Sequence, residues 1–215
     1  VSNAAADTIG DVDGTDTATN FPNATIKILT DANDSIDGTS SSDLIATFDG
    51  TDTINALGGN DKVIGGAGVD TVDGGEGNDH LYGYAANDVL TGGAGNDKLI
   101  GGLGDDTLSG GAGDDNLQGQ TGDDTITTGS GSDTVDGGLG DDRFIVDGSG
   151  NKTIDGGTGT NNLTINYASA NEISEFSSIL VPTSEGSSIS FTTTSGDVIS
   201  FSNIFTWTGE MKWDG

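Results

Sequence analysis

A single large aliphatic or aromatic residue returns at every ninth position over most of this chain. With Gly65 taken as position one of a nine-residue unit, position eight is Ile36, Ile45, Ile54, Val63, Val72, Leu81, Leu90, Leu99, Leu108, Leu117, Ile126, Val135 and Phe144. The neighbours of each are mostly polar. The last three residues of a unit therefore predict a short strand whose middle side chain points inward and whose flanking side chains point out. From Gly65 onward, positions one, two and four are mostly glycine. Glycine takes φ > 0 without a Cβ clash, so these positions predict a sharp turn before each strand. Short strands and tight turns at a fixed period describe an all-β repeat architecture.

Position six carries the second regularity. It is Asp34, Asp43, Asp52, Asp61, Asp70, Asp79, Asp88, Asp97, Asp106, Asp115, Asp124, Asp133 and Asp142, an aspartate in every unit. Carboxylates spaced so evenly repel one another. The whole chain makes this worse: 35 Asp and Glu stand against six Lys and Arg, for a formal charge of −29 over 215 residues. Such a surface repels nucleic acid and anionic membranes, and its natural partners are cations or proteins bridged by them. Composition alone would suggest disorder, and the repeat argues against it. Cysteine is absent, so disulfides cannot staple the fold. No stretch approaches the ~18 apolar residues of a membrane span, and the first residues show no charged-then-apolar signal segment.

The turn chemistry names the cation. A tight glycine turn aims several carbonyl oxygens inward, and the position-six carboxylate joins them. Hard oxygen donors in a flexible turn suit Ca²⁺, which takes six to eight oxygens, better than Mg²⁺ with its strict octahedron. The candidate ligands are Asp52, Asp61, Asp70, Asp79, Asp88, Asp97, Asp106, Asp115, Asp124, Asp133 and Asp142. With them go the glycines of the best-formed turns: Gly65, Gly66 and Gly68; Gly74, Gly75 and Gly77; Gly92, Gly93 and Gly95; Gly101, Gly102 and Gly104; Gly110, Gly111 and Gly113; and Gly137, Gly138 and Gly140. One buried aliphatic per nine residues does not offset backbone ordering at about 1–2 kcal/mol per residue. The metal-free chain is therefore expected to be unfolded and the calcium form folded.

The unit G-G-x-G-x-D-x-U-x, with U a large aliphatic, resembles the RTX (repeat-in-toxin) nonapeptide repeat, most closely over residues 56–163. The resemblance implies a right-handed parallel β-roll with two units per coil, each residue stacking on the one eighteen further along, and Ca²⁺ between turns of adjacent coils. One row of sites would then use Asp61, Asp79, Asp97, Asp115 and Asp133. The other would use Asp52, Asp70, Asp88, Asp106, Asp124 and Asp142. The best-formed units would hold on the order of eight ions, about +16 of counter-charge.

The pattern has edges. Residues 1–28 form an irregular segment or degenerate repeats, 29–163 the roll, and 164–215 a C-terminal β cap. Units 29–55 keep Asp and Ile but lose most glycines, and are expected to hold fewer or weaker ions. Ala56 and Leu57, and Tyr84, Ala85 and Ala86, replace turn glycines, which puts those two sites in doubt. One extra residue falls between Ile145 and Gly156, and Asn161 stands where the last Asp belongs. Within the cap, SSISFTTTSG and DVISFSNIF alternate as two antiparallel strands around a Ser-Gly turn.

Catalytic chemistry is not expected. His80 is the one histidine and reads as an outward-facing surface residue. Pairs such as Asp105 and Asp106 could mimic a glycosidase dyad, but they recur turn after turn and read as ligands. Asn or Asp at position five (Asn78, Asn96, Asp105, Asp114) eases the turn. Stacking by eighteen gathers Lys62, His80 and Lys98 in one row, beside a ladder of Ile64, Tyr82 and Ile100. An apolar row on so acidic a protein suggests docking of a protein or surface-assembly partner, although β propensity alone also favours Ile and Tyr. The opposite face ranks Thr71, Thr107 and Thr125, good strand residues. These features point to a calcium-dependent structural or adhesive module of a secreted or cell-surface bacterial protein, such as an S-layer protein or adhesin. The resemblance implies export by type I secretion. The competing reading is the noncatalytic C-terminal module of an extracellular protease, lipase or alginate epimerase.

Overall fold

A computed structural model describes residues 32–165 and 196–204, together with the strand backbones Thr17–Ala18, Lys27–Ile28, Ser188–Thr192 and Thr206–Trp207. Every position-eight residue from Ile36 to Phe144 is buried. The strands around them fall alternately into two ten-stranded sheets. The strand Lys98–Leu103 lies between His80–Ala85 and Asn116–Thr121, and all three run parallel. The strand Thr107–Ala112 lies likewise between Val89–Ala94 and Thr125–Ser130 in the other sheet. Lys98 pairs with His80 on one side and Asn116 on the other, so each coil consumes two nonapeptides.

This register builds the core as a double file. Leu81, Leu99 and Leu117 come from one sheet and Leu90, Leu108 and Ile126 from the other, all fully buried. Flanking residues such as His80 and Thr107 face outward, which produces the two outer faces that stacking by eighteen implies.

Near the C-terminal end the register lengthens by one. Asp133 pairs with Lys152 and Arg143 with Asn162. The extra residue is absorbed around Val146, whose side chain is buried. Parallel stacking then continues beyond the boundary expected near residue 164. Val198–Ser202 pairs with Lys152–Asp155, and Thr206–Trp207 with Asn162–Ile165. Ser188–Thr192 pairs antiparallel with Val198–Ser202. At the other end, Thr17–Ala18 pairs with Ser35–Ile36, and Lys27–Ile28 with Ile45–Ala46. The rest of 1–28, and the expected cap over 166–187 and 208–215, lie outside the described residues.

Candidate metal sites along the turns

The position-six aspartates sit where the turn meets the strand, and all thirteen from Asp34 to Asp142 are buried. Coil stacking brings each carboxylate from Asp52 to Asp142 beside the backbone of its counterpart one coil earlier. The Asp61 N–H donates to Asp79 Oδ1 at 2.7 Å, and the Asp79 N–H to Asp97 Oδ1 at 2.8 Å. In the second row, the Asp70 N–H donates to Asp88 Oδ1 at 2.8 Å and the Asp88 N–H to Asp106 Oδ1 at 2.7 Å. Position five runs a ladder in the opposite sense, on the exposed side. Asn60 Oδ1 accepts from the Asn78 N–H at 2.9 Å, and Asn78 Oδ1 from the Asn96 N–H at 2.8 Å. Position five thus bonds coil to coil, beyond the turn-easing role its residue type suggests.

The second oxygen of each carboxylate is the unusual one. Oδ2 of Asp70, Asp79, Asp88, Asp97, Asp106, Asp115, Asp124 and Asp142 is buried with no hydrogen-bond partner among the described residues. Buried polar atoms are rarely left so. Burial pushes these carboxyls up. Asp61, Asp70, Asp97, Asp106 and Asp142 rise to about 6, and Asp88, Asp115 and Asp124 to about 7. The donated N–H pulls each value back in part. Neighbouring carboxylates add to the rise, as Asp70 and Asp106 do for Asp88. Upward shifts of this kind mean that ionisation works against the metal-free fold, and a domain has only about 5–15 kcal/mol in hand. A cation beside these oxygens would offset that cost.

At position one the missing Cβ lets the Oδ2 oxygen and a carbonyl of the next coil come close to the turn backbone. A Cβ added to Gly92 would meet Asp97 Oδ2 and lie 2.6 Å from the Gly110 carbonyl oxygen of the next coil. Gly74 has the same relation to Asp79 Oδ2 and the Gly92 carbonyl, and Gly119 to Asp124 Oδ2 and the Gly137 carbonyl. Gly65, Gly83, Gly101, Gly110 and Gly137 likewise face Oδ2 of Asp70, Asp88, Asp106, Asp115 and Asp142. Each such cradle presents a buried anionic oxygen, and in most of them a carbonyl oxygen of the next coil lies close by as well. Among the described residues no three His, Cys, Asp or Glu side chains converge, so an ion there would draw largely on backbone carbonyls. Hard oxygen donors of this kind fit Ca²⁺.

The other candidate glycines have a steric task. A Cβ on Gly66, at φ +123°, would collide with the Phe48 carbonyl, and one on Gly68 with the Gly50 carbonyl, each one coil back. Positions two and four thus combine a left-handed backbone with close coil approach. Glycine is not obligatory: Leu57, Tyr84, Ala86 and Gln120 hold φ of 74°, 83°, 82° and 81°. The turn containing Tyr84, Ala85 and Ala86 keeps both the Gly83 cradle and the buried Asp88 Oδ2.

Three candidate aspartates differ at position one, although Asp52 and Asp61 also leave a buried Oδ2 without a hydrogen-bond partner among the described residues. The position-one residues of the Asp52, Asp61 and Asp133 units are Thr47, Ala56 and Thr128, all buried, so a side chain stands where the other turns have only glycine. Thr47 Oγ1 donates to the Gly65 carbonyl at 2.7 Å. Asp133 Oδ2 also lies 2.7 Å from Lys152 Nζ, with both side chains fully buried. Lys152 is not evident from the sequence, because the extra residue hides its frame. Once DGSGNKTID is aligned as a unit, Lys152 occupies position six. Asn161, at position six of the next unit, donates from Nδ2 to the Gly156 carbonyl at 2.6 Å and the Asn203 carbonyl at 3.0 Å.

The apolar ladder of Ile64, Tyr82 and Ile100 lies in register along one sheet and is half-buried. Lys62 Nζ sits 5.5 Å from the Tyr82 ring centre. His80 is exposed.

A four-copy sequence model of the RTX calcium-binding nonapeptide repeat matches residues 29–63, 46–81, 64–99, 73–108, 82–117 and 109–144 in overlapping stretches, more than half of the chain. No curated protein matches it. The repeat, the eighteen-residue register and this match agree, and the chain belongs to the RTX calcium-binding nonapeptide-repeat family.

Proposed function

We propose that this chain is a calcium-dependent structural or adhesive module of a secreted or cell-surface bacterial protein, folding after export into calcium-rich surroundings. The observation that carries this reading is the repeated buried Oδ2 oxygen with no hydrogen-bond partner among the described residues, each beside a position-one glycine. Asp70, Asp79, Asp88, Asp97, Asp106, Asp115, Asp124 and Asp142 would hold the ions with turn carbonyls. Bound calcium supplies the positive charge that lets these carboxylates stay ionised while buried. Before calcium is met, the repelling carboxylates keep the chain open, a form suited to passage through a type I secretion channel. Afterwards the stacked coils make a stiff rod.

The Ile64, Tyr82 and Ile100 row serves in this reading as the docking face for a protein or surface-assembly partner. Its half-exposed apolar side chains on a strongly acidic protein support that assignment. Alanine at all three positions should weaken association and leave calcium-dependent folding intact. Unchanged association would reject the docking face.

The calcium assignment is tested by equilibrium dialysis of the whole chain against labelled calcium. On the order of eight ions should bind, and equimolar Mg²⁺ should not displace them. Uptake of at most one or two ions would contradict it.

A further inference from the structure

The geometry points to the Lys152 ammonium as a tethered stand-in for calcium at the last turn of the row formed by Asp61, Asp79, Asp97, Asp115 and Asp133. This rests on the calcium reading of the rows above. Lys152 is fully buried, a rare state for lysine. It pairs with Asp133 across the sheet, at the place where each earlier coil supplies the next aspartate. Its Nζ lies 2.7 Å from Asp133 Oδ2 and donates to the Gly131 carbonyl at 2.6 Å and the Ser149 carbonyl at 3.0 Å. Three hard oxygens from two successive turns therefore surround one fixed positive charge. One coil earlier, Asp115 Oδ2 has neither a hydrogen-bond nor an ion-pair partner among the described residues.

A second feature at the same turn agrees. Thr128, buried, occupies position one of the Asp133 unit, where the Asp70–Asp124 cradles are glycine-lined. The turn is closed to a metal by a side chain and neutralised by the ammonium. The consequence is functional. This row ends on a charge that calcium withdrawal cannot remove, so the coil carrying Lys152 stays docked on the Asp133 coil without an ion between them. The roll binds calcium along its length and is pinned at this end by a cation that the chain itself carries.

Three variants in the full chain test this, read by bound-calcium count and by the folding equilibrium at saturating calcium. Lys152→Met keeps the bulk and removes the charge. It should bind no additional calcium and lower the folding constant by roughly a hundredfold or more, as expected when a buried ion pair loses one partner. Lys152→Ala combined with Thr128→Gly opens space beside Asp133 Oδ2 and the Gly131 and Ser149 carbonyls, and should bind one calcium more than the unaltered chain. Lys152→Arg keeps the charge and should match the unaltered chain in count. A Met variant as stable as the unaltered chain overturns the inference, and so does a double variant that folds with no added ion. If neither folds, a folded Arg variant supports the inference and an unfolded one overturns it. An unaltered chain that takes up no calcium overturns the proposed function as well, whereas failure in a chain that does bind calcium overturns the role of Lys152 alone.

Discussion

The Asp97 carboxylate accepts the Asp79 backbone N–H through Oδ1 at 2.8 Å, and its buried Oδ2 has no hydrogen-bond partner among the described residues. One side chain thus does two jobs: it bonds the coils together and presents an anionic oxygen to the turn. The two jobs separate by substitution. Asp97→Asn keeps an oxygen for the Asp79 N–H and loses the charge, so it should cost one bound calcium. Asp97→Ala should cost the ion and a further 1–3 kcal/mol or so, because the buried Asp79 N–H loses its acceptor. Urea unfolding at saturating calcium measures the difference, and equal losses would show that the amide bond adds nothing.

The glycine cradle should be convertible in both directions. Gly92→Ala puts a methyl against Asp97 Oδ2 and the Gly110 carbonyl and should remove one ion. Ala56→Gly opens the corresponding place beside Asp61 and should add one. Calcium counts on the two variants check this, and a count unchanged in both would mean that position one does not control occupancy.

Left-handed residues other than glycine hold the fold under strain. Tyr84 and Gln120 sit at φ 83° and 81°, a region that costs an ordinary residue about 1–2 kcal/mol. Gln120→Gly, exposed and mid-roll, should therefore leave the calcium-bound chain at least as stable, with a gain of up to about 1 kcal/mol after the greater flexibility of the unfolded glycine chain is set against the relief. Loss of more than about 1 kcal/mol in thermal or urea unfolding would contradict this.

Protonation should partly replace calcium. Burial raises the Asp88, Asp115 and Asp124 carboxyls from 3.8 to about 7 in the metal-free fold. Between those values the fold holds protons that the unfolded chain has released. Stability of the metal-free fold therefore rises as pH falls from 7 toward 4 and is lost as pH rises through 6 to 7. Chain stripped on a chelating resin should show more β signal in circular dichroism at pH 5 than at pH 8. With calcium present, protons compete with the ion, and the calcium needed for half-saturation should rise as pH falls over the same range. A stripped chain with more β structure at pH 8 would oppose both statements.

Much of this was legible in the residues, for reasons that also mark the limits. Leu99 and Asp97 could be assigned inward and turn positions because a nine-residue period fixes the phase of every side chain. The pairing of Lys98 with His80 and Asn116 needed the family's two-unit coil, since the spacing alone does not say how many units make a turn. The two uses of one carboxylate were hidden, because residue type does not reveal that the Asp79 amide comes to lie beside Asp97. Tyr84 and Ala86 looked like lost turn residues, yet coil stacking enforces the left-handed backbone that their own preferences disfavour. Lys152 was concealed by the single extra residue near Val146, which breaks the frame and brings a lysine to position six.

The central claim is that a bound cation supplies the charge that the buried aspartates lack. Circular dichroism of the metal-stripped chain at pH 7.5, followed through a calcium titration, tests it most directly. The expected result is a coil spectrum without calcium and a cooperative rise of β signal as calcium is added, reversed by chelator. A stripped chain with the full β spectrum and an unchanged melting temperature would contradict it.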